Sequence, residues 1–98
     1  MAYKIEWTKS AINGFDSIVQ YLETQWSEKE VKNFFQSTIK FLKLLQNNPR
    51  LLRLSPSKKN LYRGPINKQT IVTYRIYPKK KVIQLINIRG AKQEPLDF

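Results

Sequence analysis

Cysteine and histidine are both missing from this 98-residue chain. Without thiols there is no disulfide and no thiol nucleophile, and a reducing, cytoplasmic setting is expected. Without imidazole the most common general base and the most common metal ligand drop out together, so no metal site and no cofactor is expected. Long apolar runs are missing too. The longest extend only a few residues, which excludes a membrane-spanning segment. Met1-Ala2 leads straight into an alternating stretch rather than a charged region and an apolar run, so no secretory signal is expected. Acid is scarce beyond residue 30: residues 31–98 hold fifteen basic side chains against two acids, Glu94 and Asp97.

That last scarcity defines the chain. Lys and Arg total 18 against 7 Asp and Glu, a net charge of +11, while residues 1–30 are slightly acidic. Self-repulsion on so short a chain is costly, and the asymmetry predicts a basic surface facing an anionic partner. Nucleic acid, a ribosome, an anionic membrane and an acidic protein all fit; the plain alternative is a solvated surface that only confers solubility. The length fits a single domain over residues 1–98, with a modest core that a partner would stabilise.

Periodicity gives the elements. Tyr3, Ile5 and Trp7 alternate with Lys4 and Glu6, the period of a strand. Thr8 or Ser10 can cap the helix that follows, whose apolar stripe is Ala11, Phe15, Ile18 and Leu22, widened by Ile12 and Val19. Gly14 weakens that helix by roughly 1 kcal/mol relative to Ala. After a break at Thr24-Gln25-Trp26, Ser27 and Glu30 have the spacing of a capping box. A second helix runs to about Gln46, with Val31, Phe34, Phe35, Thr38, Leu42 and Leu45 as its expected buried face and Ile39 and Phe41 at the edges. Asn47-Asn48-Pro49 stops it. Residues 50–60 read as a polar, basic connection. Three strands follow: a weak one over Leu61 to Ile66, a strong one over Thr70 to Tyr77, and, beyond a turn at Pro78-Lys79-Lys80, one over Val82 to Ile88. The order is β-α-α-β-β-β, an α+β fold with a helical hairpin on one face of a largely antiparallel sheet. Basic side chains can gather on the helix-free face and in the tail, and the candidates are Arg63, Lys68, Arg75, Arg89 and Lys92, with Lys79 to Lys81 at a hairpin tip. Tyr62 beside Arg63 could stack on a base.

Several strings resemble one family. YKIEWTKSAINGFDSIVQYL is similar to the opening strand and first helix of ParE-like toxins. LLQNNPRL resembles their helix end, TYRIYPKKKVIQLINI their strand, turn and final strand, and KQEP the ending of one branch. The chain is thus identified as a member of the RelE/ParE superfamily of type II toxins. The resemblance implies a cognate antitoxin that wraps and silences the toxin, and operator DNA reached only through that antitoxin. It implies one of two targets: DNA gyrase, inhibited by ParE-like members, or ribosome-bound mRNA, cleaved by RelE-like members. RelE-type enzymes usually carry an arginine three positions before the tyrosine matched by Tyr74; here that position is Ile71. Their basic pair in the preceding strand falls near Tyr62 and Gly64. The arginine after the last strand aligns with Lys92, and the terminal catalytic tyrosine has no match, Phe98 lacking a hydroxyl. These departures favour binding over RNA cleavage, so no catalytic residue is assigned. The target- or antitoxin-binding set is Arg63, Arg75, Arg89, Lys92, Tyr62 and Lys68.

Each of these has a plainer reading. Arg75 could pair with Glu6 on the sheet surface, Lys79 to Lys81 could be a solvated turn, and Tyr74, Trp7 and Trp26 could be packing residues, with contact to the antitoxin a second role for Trp26. A simple nucleic-acid-binding module and a membrane-surface protein are the two other classes. The first has no helix-turn-helix, zinc or RNP-like signature to support it. In the second, the apolar face of the second helix is wide enough to be core.

Overall fold

A computed structural model describes residues 2–54, 60–67 and 70–90. The elements are β1 (Lys4–Trp7), α1 (Lys9–Gln25), α2 (Glu28–Asn47), β2 (Arg53–Leu54), β3 (Leu61–Asn67), β4 (Thr70–Tyr77) and β5 (Val82–Gly90). Both helices cover one face of the sheet, whose strand order is β1-β5-β4-β3-β2. Among the described strands only β1 and β5 run parallel; the other neighbours are antiparallel. The expected order holds with one addition. The two-residue β2 lies inside the stretch read as a loop and pairs Arg53 with Arg63 and Leu54 with Tyr62.

The caps are those the sequence offers. Thr8 caps α1 by accepting from the Ala11 amide at 3.2 Å. The same hydroxyl reaches the carbonyls of Leu85 at 2.7 Å and Ile86 at 3.1 Å, tying the start of α1 to β5. Ser27 caps α2 by accepting from the Glu30 amide at 3.4 Å. The reciprocal half of a capping box differs: the Ser27 hydroxyl donates to the Glu30 carboxylate, also at 3.4 Å. Glu28 and Glu30 place acid in the first turn of α2, where the helix dipole favours it.

The core lies between the helices and the sheet. Ala11, Ile18 and Leu22 from α1 and Phe34, Phe41 and Leu45 from α2 meet Val72, Tyr74, Ile76, Ile83, Leu85 and Ile88 from the sheet. Relative to the expected stripe, α2 is rolled: Phe41 turns into the core and Phe35 moves to an exposed rim, where its ring meets Phe15 edge-on at 5.6 Å. The roll lets Phe34 stack on Phe15 at 5.5 Å, joining the two helices through aromatic contact. On β5 the inward set is Ile83, Leu85 and Ile88, an odd step made possible by a bulge: Leu85 faces Tyr74, Asn87 faces Thr73, and Ile86 has no partner.

Gly14 brings α1 hard against β5. A Cβ built there would run into the Ile88 carbonyl oxygen and lie 3.0 Å from the Ile88 carbonyl carbon. Small residues at Ala11 and Gly14 therefore set α1 directly on β5, beyond the Thr8 anchor.

The β4–β5 turn spans Pro78 to Lys81, closed by the Lys81 amide donating to the Pro78 carbonyl at 3.3 Å. Lys81 has φ 54°, in the left-handed region. Glycine or asparagine takes this conformation with little strain, whereas other side chains lose about 1 kcal/mol or more there.

Candidate functional site

The face of the sheet away from the helices follows from strand alternation. With Tyr74 and Ile76 turned into the core, Thr73 and Arg75 point the other way. Arg63 stands opposite Thr73, which in turn faces Asn87. Arg75 stands opposite Leu61 and Gln84, and Ile71 opposite Pro65 and Arg89. Three arginines from β3, β4 and β5 thus surround the buried Thr73: one directly across, one two residues along its own strand, one on a diagonal.

Directly opposed side chains on a sheet have Cβ atoms about 5 Å apart and diagonal ones about 7 Å. Arg63 and Arg75 stand on such a diagonal, and like charges at that spacing near a protein surface repel by on the order of 1 kcal/mol. Arg63 and Arg75 are half-buried, and Arg89 is only 7% exposed. The Arg75 Nε is buried with no hydrogen-bond partner. Glu6 does not neutralise Arg75: by register it faces Gln84, which lies between them. Among the described residues neither Arg63 nor Arg75 forms an ion pair. Tyr77 also lies on this face and donates to Gln84 Oε1 at 3.3 Å. The arrangement is a fixed cationic surface, enclosed enough to strengthen a bond to an incoming carboxylate or phosphate oxygen.

Tyr62 does not join it. Adjacent strand residues point to opposite faces, so the neighbour of Arg63 turns toward the helices. Its ring stacks on Tyr74 with centroids 5.4 Å apart and planes at 9°. Gly64 faces the same way, its side filled by Leu52, so the two positions matched to the basic pair of RelE-type enzymes lie on the core side. Lys68, Lys92 and Phe98 lie outside the described residues. Arg63, Arg75 and Arg89 share the helix-free face, each beside Thr73. Thr73 at their centre, facing Asn87, and Gln84 and Tyr77 further along the same face carry no chemical signal in the sequence beyond the alternation of β4.

Tyr74, the tyrosine of the matched Tyr-Arg-Ile strand, is a structural bolt. Its hydroxyl donates to the Pro49 carbonyl at 2.7 Å and accepts from the Leu52 amide at 3.4 Å, fastening the exit of α2 to the sheet. Burial pushes its pKa from 10.0 up to about 12; the Leu52 amide lowers it and Tyr62 adds a smaller rise. A neutral acid whose folded pKa is raised stabilises the fold below the unfolded pKa, so this contribution is complete below about pH 10 and is lost as pH climbs through about 12. Phenolate absorbance should show one of the five tyrosines titrating late in the folded chain. Tyr74→Phe should remove that late step and destabilise the fold by about 1–3 kcal/mol, the range for stranding buried polar partners. Titration of all tyrosines together near the ordinary value, with the fold intact, would contradict this assignment.

Comparisons with known proteins converge. The family described as ParE toxin of type II toxin-antitoxin system, parDE, matches residues 5–95. The chromosomal ParDE system of P. aeruginosa contains a chain of similar fold, with a TM-score of 0.75 at 17% identity, covering 93% of this chain and 98% of that one. The RelBE2 toxin-antitoxin complex of Mycobacterium tuberculosis contains another, at TM-score 0.63 and 10% identity, covering 95% of each chain. The intact E. coli RelBE complex gives a TM-score of 0.60 at 13% identity, covering 94% of this chain and all of that one. No curated protein matches by sequence.

Proposed function

The chain belongs to the ParE toxin family of type II toxin–antitoxin systems, and we propose that it inhibits DNA gyrase through the arginine face, while its cognate antitoxin silences it by covering that face. The observation that carries this reading is the trio Arg63, Arg75 and Arg89 around Thr73, with the Arg75 Nε left without a partner. Fixed positive charge on a rigid sheet suits binding an acidic surface. The chemistry of RNA cleavage is poorly served there. Ile71 stands where RelE-type enzymes usually have an arginine, and the Tyr74 hydroxyl is spent on the Pro49 carbonyl.

The antitoxin segment would combine two surfaces. Ile12, Phe35 and Ile39 leave exposed apolar area on the helical hairpin, and burying it would supply most of the affinity. Acidic residues facing the arginines would speed association and fix the register. Solved toxin–antitoxin complexes among the similar structures support an antitoxin partner of this kind.

Inducing the chain without antitoxin tests the target. The expected outcome is filamentation with gyrase-dependent DNA breaks, and inhibition of gyrase supercoiling by the purified chain. Rapid, codon-phased mRNA cleavage with supercoiling unaffected would overturn it in favour of a RelE-type ribonuclease.

A further inference from the structure

A second basic surface lies at the end of the sheet beyond Arg75 and Tyr77. It is formed by Lys79, Lys80 and Lys81 in the β4–β5 turn and by Lys4 at the start of β1, all exposed. Lys4 is held beside the turn: its amide donates to the Lys81 carbonyl at 2.9 Å, and it pairs by register with Val82. Lys43 approaches the same end. It lies one turn before Gln46, whose carbonyl accepts from the Tyr3 amide at 3.0 Å and whose side chain donates to the Tyr3 carbonyl at 3.0 Å. Among the described residues the nearest acid by register is Glu6, two residues further along β1 and opposite Gln84. Among the described residues no ion pair forms at this end.

Two features make this more than a solvated turn. Like charges are concentrated on three consecutive tip residues and the strand beside them, so each weakens the others. Lys81 also occupies a left-handed conformation, φ 54°, that glycine or asparagine would adopt with less strain. The sequence keeps a cation where local physics favours a small or uncharged residue.

We propose that this lysine end is a contact surface for the phosphate backbone of a polynucleotide, used independently of the arginine face. Exposed ammonium groups on long flexible stems suit successive phosphates, which need charge without fixed geometry. Half-buried guanidinium groups on the open face suit a defined partner instead. The surface reads no sequence, so its affinity comes from counterion release and is steeply dependent on salt.

The test uses the purified full chain alone, so its outcome does not depend on gyrase or on any antitoxin. Binding to a short labelled DNA duplex of random sequence, and to a matching RNA strand, is measured across salt concentrations. In the variant Lys79→Gln/Lys80→Gln/Lys81→Asn, the slope of log K against log salt should shrink by about 2–3, and affinity near physiological salt should fall roughly tenfold or more. A larger loss on the duplex assigns DNA as the source of the phosphates; a larger loss on the strand assigns RNA. The variant should melt no lower than the parent, since Lys81→Asn relieves the turn. Unchanged slopes on both probes would overturn the proposal. So would a variant that keeps its oligonucleotide binding but loses binding to vesicles of phosphatidylcholine and phosphatidylglycerol, which would reassign the patch to membranes.

Discussion

Gly14→Ala is expected to destabilise this protein strongly, although the substitution favours a helix. On propensity alone, alanine in the middle of α1 would stabilise by about 1 kcal/mol. The added methyl group, however, runs into the Ile88 carbonyl oxygen, a backbone atom held in the β4–β5 ladder. Backbone cannot turn aside as a side-chain tip can. The helix must retreat from the sheet, and Ala11, Ile18 and Leu22, all buried on the same face, retreat with it. The Thr8 hydroxyl, anchored to Leu85 and Ile86, resists that movement at the near end. Overpacking of this kind costs about 1–3 kcal/mol and sometimes more. With the loss of contacts around Ile18 and Leu22, a net loss of about 2–4 kcal/mol is expected, enough to outweigh the propensity gain. For a domain of this size that lowers the melting temperature by roughly 10–20 °C. Thermal unfolding followed by circular dichroism measures it; a melting temperature equal to or above the parent's would show that α1 does not sit this close to β5.

Gly14 also marks where sequence reading stops. Periodicity and caps placed both helices correctly, because Thr8, Ser27 and Asn48-Pro49 act through bonds within a few residues of themselves. The strong β-branched run of β4 was equally plain. What could not be read depends on partners far along the chain. A two-residue strand such as Arg53–Leu54 has no period to detect, and it exists only because β3 offers an edge. The parallel seat of β1 beside β5 joins Lys4 to Val82 across almost the whole sequence. The Ile86 bulge shifts inward alternation by one residue, so that Ile88 joins Leu85 in the core.

The site divides along the same line. Arg75 between Tyr74 and Ile76 announced its outward direction by alternation alone. The same rule applied to β3 separates Tyr62 from Arg63, whereas aromatic–basic adjacency had grouped them. Thr73 gave no chemical signal of its own, since its place at the centre of three arginines is a product of register.

Arg75→Leu is expected to abolish toxicity while leaving the protein at least as stable. The two effects have separate causes. In the isolated chain the Arg75 Nε is buried without a partner, and its charge stands on the diagonal from that of Arg63. Leucine removes both penalties and keeps apolar bulk against Leu61 across the strand pair. Relieving one buried unsatisfied donor is worth on the order of 1 kcal/mol, so the melting temperature should rise by about 4–8 °C. Bound to its partner, the same guanidinium would be the half-buried centre of a cationic face, the kind of arginine whose truncation costs about 2–4 kcal/mol of binding. Target affinity should therefore fall by roughly 30- to 1000-fold. Growth inhibition on induction, antitoxin affinity and thermal stability are measured on one variant. Since the antitoxin is proposed to cover the same face, its affinity should fall along with toxicity. Undiminished growth inhibition would remove Arg75 from the target surface. Lost toxicity accompanied by a lower melting temperature would trace the defect to the fold and not to the face. A cation kept where it weakens the free protein implies that its stabilising partner is another molecule.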